Sequence, residues 1–247
     1  MNRTDKYIQQ KISKGERMFA WLIDPDKVPV EGIKDQLVLA QKSDIDFVFL
    51  GGSLLVKDQV DGYIDLIRRY LKQPIILFPG GVNQVNGRAD GILLLSLISG
   101  RNPDFLIGRH VEVASILKQT GLDILPTGYI LVESGQQTTA SYISNTSPVP
   151  HHKNDIAVST ALAGELLGLK YIFLDGGSGA KMPVDAKMIK DVKKHISIPL
   201  IVGGGIKTPE KLAEAYQSGA DIVVVGNVIE EDPDQLLKLS KVKNSLR

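Results

Sequence analysis

Four stretches of this chain hold the residue types that can do chemistry: Asp24-Pro25-Asp26-Lys27, Gly51-Gly52-Ser53, Phe173-Leu174-Asp175-Gly176-Gly177-Ser178-Gly179, and the pair Gly203-Gly204-Gly205 with Gly226-Asn227. Residues without a Cβ let consecutive backbone N–H groups converge on an anion, and a helix N-terminus that follows adds partial positive charge. Each late glycine cluster ends a short apolar run, so three of them after successive strands point to a bound phosphate rather than to turn chemistry alone. Asp24 and Ser53 offer a carboxylate and a hydroxyl at neighbouring strand ends, a donor set that suits a hard ion such as Mg²⁺ bridging to substrate phosphates. An Asp-Pro pair taken alone is commonly a turn; the phosphate-binding context is what favours the ion. Lys27 can offset diphosphate charge or be a surface lysine. Asp175, immediately before its glycines, can take a proton from an acceptor hydroxyl or cap the next turn.

These residues need elements to position them, and the apolar pattern supplies a set. Eight runs read as strands: Met18 to Ile23, Phe47 to Leu50, Pro74 to Phe78, Gly91 to Leu95, Gly128 to Val132, Tyr171 to Leu174, Pro199 to Val202 and Asp221 to Val225. They are nearly continuous in Val, Ile, Leu and Phe rather than alternating, as strands buried on both faces are. Helical patterns such as Val60 to Leu71, Ile156 to Leu167 and Pro209 to Gln217 lie between them. The alternation predicts an α/β fold, a single (βα)8 TIM barrel of eight parallel strands spanning residues 1–247. A doubly wound sheet would carry its glycines after the first strand, where this chain has Asp-Pro-Asp-Lys.

Two intervals break the pattern. Only twelve residues separate Phe78 from Gly91, and they include Pro79, Gly80, Gly81 and Gly87, too few for a crossover helix with two loops. The third helix is expected to be missing or replaced by extended chain, either opening the barrel side to an elongated ligand or leaving a short segment covered by a neighbour. Glu133 to Lys153 reads as a long loop of the kind used as a lid, with His151 and His152 as exposed loop histidines. The segment Leu93 to Ile107 keeps apolar residues past the expected end of the fourth strand, carrying greasy surface toward the active face, the helix-poor side or a subunit contact.

Composition narrows the function classes. The 247 residues are 43% apolar and 23% charged, with a formal net charge of +1, so neither disorder nor a field for nucleic acid or anionic membrane is expected. With no cysteine, thiol nucleophiles and zinc thiolate sites are excluded. The polar Met1 to Glu16 segment lacks the apolar core of a signal peptide, which predicts a cytoplasmic protein without a transmembrane segment.

Together these motifs resemble the geranylgeranylglyceryl phosphate synthase family, with its bacterial heptaprenylglyceryl relatives. The resemblance is carried in order by Leu22 to Lys27, Phe49 to Ser53, Leu77 to Gly80, Ser99 to Pro103, Pro148 to Pro150, Phe173 to Ala180, Gly203 to Ile206 and Gly226-Asn227. It implies a barrel without its third helix and prenyl transfer from geranylgeranyl diphosphate to the C3 hydroxyl of sn-glycerol 1-phosphate. By position it implies Asp24 and Ser53 as Mg²⁺ ligands, and Phe173, Leu174, Asp175, Gly176, Gly177, Ser178, Gly179, Gly204, Gly205, Gly226 and Asn227 as glycerol phosphate contacts. It favours a homo-oligomer, dimer or hexamer, with transient membrane contact for product release. Two positions depart: the family reads Tyr-Leu-Glu where this chain has Phe173-Leu174-Asp175, losing a phenol and a methylene beside the expected base.

Three alternatives stay open on the sequence. A longer donor such as heptaprenyl diphosphate fits the same motifs. An isomerase or cyclase of a phosphorylated metabolite explains the late glycines, but not the Asp24 and Ser53 pair. A non-catalytic barrel would bind the phosphate without turnover.

Overall fold

The computed structural model describes residues 3–56 and 59–246. Eight strands close into one parallel barrel in sequence order: β1 (Met18–Ile23), β2 (Phe47–Leu50), β3 (Ile75–Leu77), β4 (Gly91–Leu97), β5 (Asp123–Leu131), β6 (Tyr171–Asp175), β7 (Leu200–Gly203) and β8 (Ile222–Val225). Closure is made by β1 lying parallel to β8, with Met18 opposite Ile222. The predicted barrel is therefore the fold.

Strand parity divides the core in two. Met18, Ala20, Phe47, Phe49, Ile76, Tyr171, Phe173, Ile201, Ile222 and Val224 fill the barrel, whereas Phe19, Trp21, Val48, Leu50, Ile172, Leu174 and Val202 pack outward under the helices. Both strand faces are buried, which is why the runs look continuous rather than alternating.

Among the described residues ten α-helices accompany the strands: α1 (Arg3–Ser13), α2 (Lys34–Ala40), α3 (Val60–Tyr70), α4 (Arg109–Gln119), α5 (Thr139–Ser144), α6 (Asn154–Leu166), α7 (Ala186–His195), α8 (Pro209–Gln217), α9 (Asn227–Glu231) and α10 (Gln235–Ser240). Their sequences state how they dock and start. α3 buries Val60, Tyr63, Ile64 and Ile67, the spacing of one helical face. Asp185 caps α7 by accepting from the Lys187 and Met188 N–H groups, and Thr208 caps α8 ahead of Pro209 at its first position, both favoured starts. α1 precedes the barrel and closes its N-terminal end: Ile8 is buried, the Thr4 N–H donates to Asp123, and Tyr171 donates to Asp5.

No α-helix stands between β3 and β4. A single turn at Val82–Gln84 takes its place, as the twelve-residue interval requires. That segment is held to the β2 loop by Gln84, which is buried and donates through Nε2 to the Gly52 carbonyl at 2.9 Å. A Cβ on Gly80 would lie 2.4 Å from the Ser53 carbonyl oxygen, so only glycine allows the two loops to touch there.

The structure corrects two sequence readings. β5 begins at Asp123, five residues before the expected Gly128, because Pro126 interrupts the apolar run. Residues 123–126 pair with β4 alone, and pairing to β6 starts at Thr127, so proline sits where one neighbour is missing. The Glu133 to Lys153 interval is not a plain loop: it contains α5, started by a reciprocal capping box between Thr138 and Ser141, and Val149 bridges back to Val132. His152 is exposed, while His151 is half-buried with its Nδ1 3.2 Å from the Glu133 carbonyl oxygen.

Candidate active site

The C-terminal ends of the strands open into a cavity of ≈ 310 Å³. One part is polar, bordered by Asp24, Lys27, Ser53, Asp175, Gly177, Ser178, Gly179, Gly204, Gly205, Gly226, Asn227 and Glu230. The other runs through Leu93, Leu94, Leu95, Leu97, Phe105 and Val113 toward Val82 and Val85, beside the position of the missing helix. β4 continues to Leu97 and is followed by a wide π-type turn at Asp104–Gly108 leading into α4. The apolar Leu93 to Ile107 segment thus faces the cavity over much of its length, as one of its sequence readings required.

Phe173 and Asp175 point into the barrel, on the same strand face as Tyr171. Leu174 points outward into the helical layer and Gly176 does not border the cavity, so at most their backbones lie near a ligand. The backbone donors of this cluster are partly spent: the Gly176 N–H donates to the Gly203 carbonyl at 3.1 Å, and the Gly177 N–H to Asp175 Oδ1 at 2.8 Å. No long helix follows at once either: α7 starts at Ala186, α8 at Pro209, and α9, which begins at Asn227 directly after Gly226, is five residues long. Separate N–H groups and side chains, rather than long helix dipoles, define this rim.

The glycines of β7 are needed for close approach. Gly204 has φ +80°, and a Cβ there would lie 2.6 Å from the Gly176 nitrogen and 2.7 Å from Asp175 Oδ1; Gly205 has φ +72° and would meet the Met182 carbonyl at 2.6 Å. The β6 and β7 loops are therefore in contact, backbone on backbone.

Asp175 is buried and accepts on both oxygens, the second from the Tyr129 hydroxyl at 2.5 Å. Burial raises its carboxyl above the usual aspartate range, opposed by the hydrogen bonds from Tyr129 and Gly177; burial, with the charge of Asp175, also raises the Tyr129 phenol. Tyr129 comes from β5 and was not a sequence candidate. Its ring meets that of Phe173 edge-on at 5.4 Å, and Phe78 stacks on Phe173 at 5.4 Å. Position 173 brings no phenol, and the phenol that reaches Asp175 comes from the adjacent strand.

Asp24 is brought close to the β2 loop, as expected: a Cβ on Gly52 would lie 3.0 Å from its carboxylate atoms. Burial raises its carboxyl above the ordinary range, against the Asp26 N–H and the Lys27 charge. Lys27 reaches along the rim toward the β8 and β6 loops, its Nζ 2.8 Å from Ser178 Oγ, 3.1 Å from Asn227 Oδ1, 3.4 Å from Glu230 Oε2 and 3.7 Å from Asp24 Oδ2. Among the described residues no group of three or more His, Cys, Asp or Glu could hold a metal by protein ligands alone. One carboxylate and one hydroxyl fit an ion that keeps waters and takes substrate oxygens, which is Mg²⁺ behaviour.

A closed parallel barrel with a glycine rim after its last three strands, a buried carboxylate beneath that rim and an apolar slot alongside it belongs to the phosphate-binding barrel class. Within that class the chain belongs to the PcrB family, whose profile matches residues 10–244. It is 54% identical over 228 residues to the geranylgeranylglyceryl phosphate synthase of Spirosoma linguale, covering 92% of each chain. It is 36% identical over 241 residues to that of Korarchaeum cryptofilum, covering 97% of this chain and 99% of the other. The crystal structure of (S)-3-O-geranylgeranylglyceryl phosphate synthase from Thermoplasma acidophilum, in complex with its substrate sn-glycerol-1-phosphate, superposes with a TM-score of 0.91 at 27% identity over 99% of both chains.

Proposed function

We propose that this protein is a prenyltransferase that joins geranylgeranyl diphosphate to the C3 hydroxyl of sn-glycerol 1-phosphate, giving 3-O-geranylgeranyl-sn-glyceryl 1-phosphate and diphosphate. The observation that carries this reading is one cavity joining a glycine-lined anion rim, a buried carboxylate and an apolar slot. The names of relatives at up to 54% identity, and the glycerol phosphate complex of the Thermoplasma enzyme, support it.

The acceptor phosphate rests on the rim and fixes the glycerol, which supplies orientation. Its C3 hydroxyl donates to Asp175, whose oxygens keep one lone pair each beyond the bonds from Tyr129 and Gly177. As the allylic C1–O bond to diphosphate breaks, the glycerol oxygen forms the ether bond to C1 and its proton passes to Asp175. A carboxylate made more basic by burial is the better acceptor for that proton. The rings of Phe78, Tyr129 and Phe173 offer π-faces near developing positive charge. The tail lies along Leu93 to Val113, where burial contributes at most about 0.8 kcal/mol per CH₂ before association costs.

Asp24 and Ser53 would hold Mg²⁺, which when bound offsets the charge of the departing diphosphate. We also infer a homo-oligomer, a dimer or hexamer, supported by the exposed Ile107 of the π-type turn and Val111 and Ile116 of α4. Among the described residues no helix is long and apolar enough to cross a membrane.

The test is an assay with Mg²⁺, labelled sn-glycerol 1-phosphate and prenyl diphosphates of several lengths, scoring label extracted into an organic phase. Transfer that peaks with the twenty-carbon donor is expected. A peak at a longer donor would reassign the donor, and no transfer by folded protein with any donor would overturn the prenyltransferase reading.

A further inference from the structure

Lys27 joins three loops at the polar end of this cavity. It follows β1, and its ammonium lies against Asn227 at the start of α9, just after the neighbouring strand β8, and against Ser178 from the β6 loop, two strands beyond β8. Those two residues also approach each other, Ser178 Oγ standing 3.4 Å from Asn227 Oδ1. With Nζ 2.8 Å from the Ser178 hydroxyl, one anion can accept a hydrogen bond from that hydroxyl and from the Lys27 ammonium together.

Charge makes that contact matter. Asp24, Asp175, Glu230 and Glu231 all border the cavity. A phosphate dianion placed among these four carboxylates is repelled unless a full positive charge stands beside it. The rim cannot supply that charge from the backbone, and its Gly176 and Gly177 N–H groups are already committed inside the protein. Of the other basic residues bordering the cavity, Arg109 and His110 lie at the apolar end on α4, and Lys207, exposed as Lys27 is, makes no hydrogen bond or ion pair among the described residues that would hold it at the rim.

Glu230 explains how a flexible lysine stays at the rim. It lies one turn into α9, accepts the Lys27 ammonium at 3.4 Å through Oε2, and has Oε1 buried without a hydrogen-bond partner. Asp24 pulls the same ammonium from the other side at 3.7 Å. Held between the two carboxylates, the ammonium is aimed at Ser178 and Asn227 instead of ranging through solvent.

Resting on the acceptor reading above, we propose that Lys27 is the cationic ligand of the acceptor phosphate and Glu230 its positioning residue. This takes Lys27 from either of its sequence readings, the donor's diphosphate or a surface lysine, to the opposite substrate.

The experiment is calorimetric titration of sn-glycerol 1-phosphate into the full chain, without Mg²⁺ or donor, for wild type, Lys27→Met, Lys27→Arg, Glu230→Gln and Lys207→Met, followed by steady-state kinetics. Lys27→Met is expected to weaken acceptor binding about ten- to hundred-fold, the range for losing a hydrogen bond to a charged group. Lys27→Arg should recover most of that loss. Glu230→Gln should weaken binding several-fold with kcat within about two-fold of wild type, a split that a merely structural defect would not give. Lys207→Met should bind like wild type. An unchanged acceptor affinity in folded Lys27→Met, a loss confined to the KM of the prenyl diphosphate, or a loss seen in Lys207→Met instead, would each overturn the assignment of Lys27. Glu230→Gln binding with wild-type affinity would remove its positioning role. Failure of the wild-type protein to bind sn-glycerol 1-phosphate at all would overturn the acceptor reading itself.

Discussion

Tyr129 and Asp175 stand 46 positions apart and share the shortest polar contact to the expected base. Substituting Asp175 by Asn keeps the shape and removes the proton acceptor. The expected result is a fall in kcat of about 10²–10⁴-fold with acceptor affinity retained by calorimetry; an unchanged rate would remove Asp175 as the base. Tyr129→Phe tests its tuning. The phenol hydrogen bond lowers the Asp175 carboxyl, so losing it raises that group further. The base must be ionised, so the acidic limb of the kcat profile should move to higher pH in Tyr129→Phe; a shift to lower pH, or none, would separate the phenol from catalysis. Asp24→Ala should abolish Mg²⁺-dependent transfer while the circular dichroism melt stays that of a folded barrel, and near wild-type turnover would sink the metal role. Asp24, Ser53 and Asp175 were legible as residues bordering the cavity because each stands at the end of an apolar run. Tyr129 and Glu230 were not: one hides inside a strand and the other inside a short helix, and only barrel closure brings them to the mouth.

At the scale of elements, the β6 and β7 loops work as one piece because Gly204 lets backbones touch. Gly204→Ala places a Cβ 2.6 Å from the Gly176 nitrogen at a positive φ, a conformation costing an L-residue about 1–3 kcal/mol before the clash is counted. Acceptor binding should be lost, with a lower melting temperature; an alanine variant that binds normally would show that the loops do not need this contact. The strands were readable from apolar runs because both faces are buried. β5 was read short because Pro126 breaks its run, and α5 was missed because its six residues, Thr-Ala-Ser-Tyr-Ile-Ser, form a helix on the strength of a capping box rather than an apolar stripe. The absent third helix was legible from length alone, since twelve residues cannot cross over and return.

At the scale of the molecule, the ends of the chain hold the barrel shut. Lys243, 6% exposed, pairs with Asp46, 4% exposed, which also accepts from the Phe19 N–H and the Tyr7 hydroxyl. Lys243→Ala leaves Asp46 with a more distant cation, Lys11 Nζ at 3.6 Å, and with the hydrogen bonds above, so the loss in denaturant unfolding should sit at the lower end of the cost of breaking a buried pair, about 3 kcal/mol. A loss under about 1 kcal/mol, the range of a surface pair, would mean that Lys11 or water replaces the ammonium. None of this long-range pairing is visible along the sequence, because Asp46 and Lys243 sit 197 positions apart.

Closure of β1 on β8 also fixes an order of events during synthesis. The first strand emerges early and gains β2 soon after, but its other edge has no partner until β8 is made; the Tyr216 hydroxyl that caps the Met18 carbonyl arrives 198 residues later. At about 5–20 residues per second that edge waits roughly ten to forty seconds on the ribosome, with Phe19, Trp21 and Ile23 uncovered on its outer face. The nascent chain, with that edge open, rather than the finished barrel, is the form of this protein whose unpaired strand is exposed to aggregation.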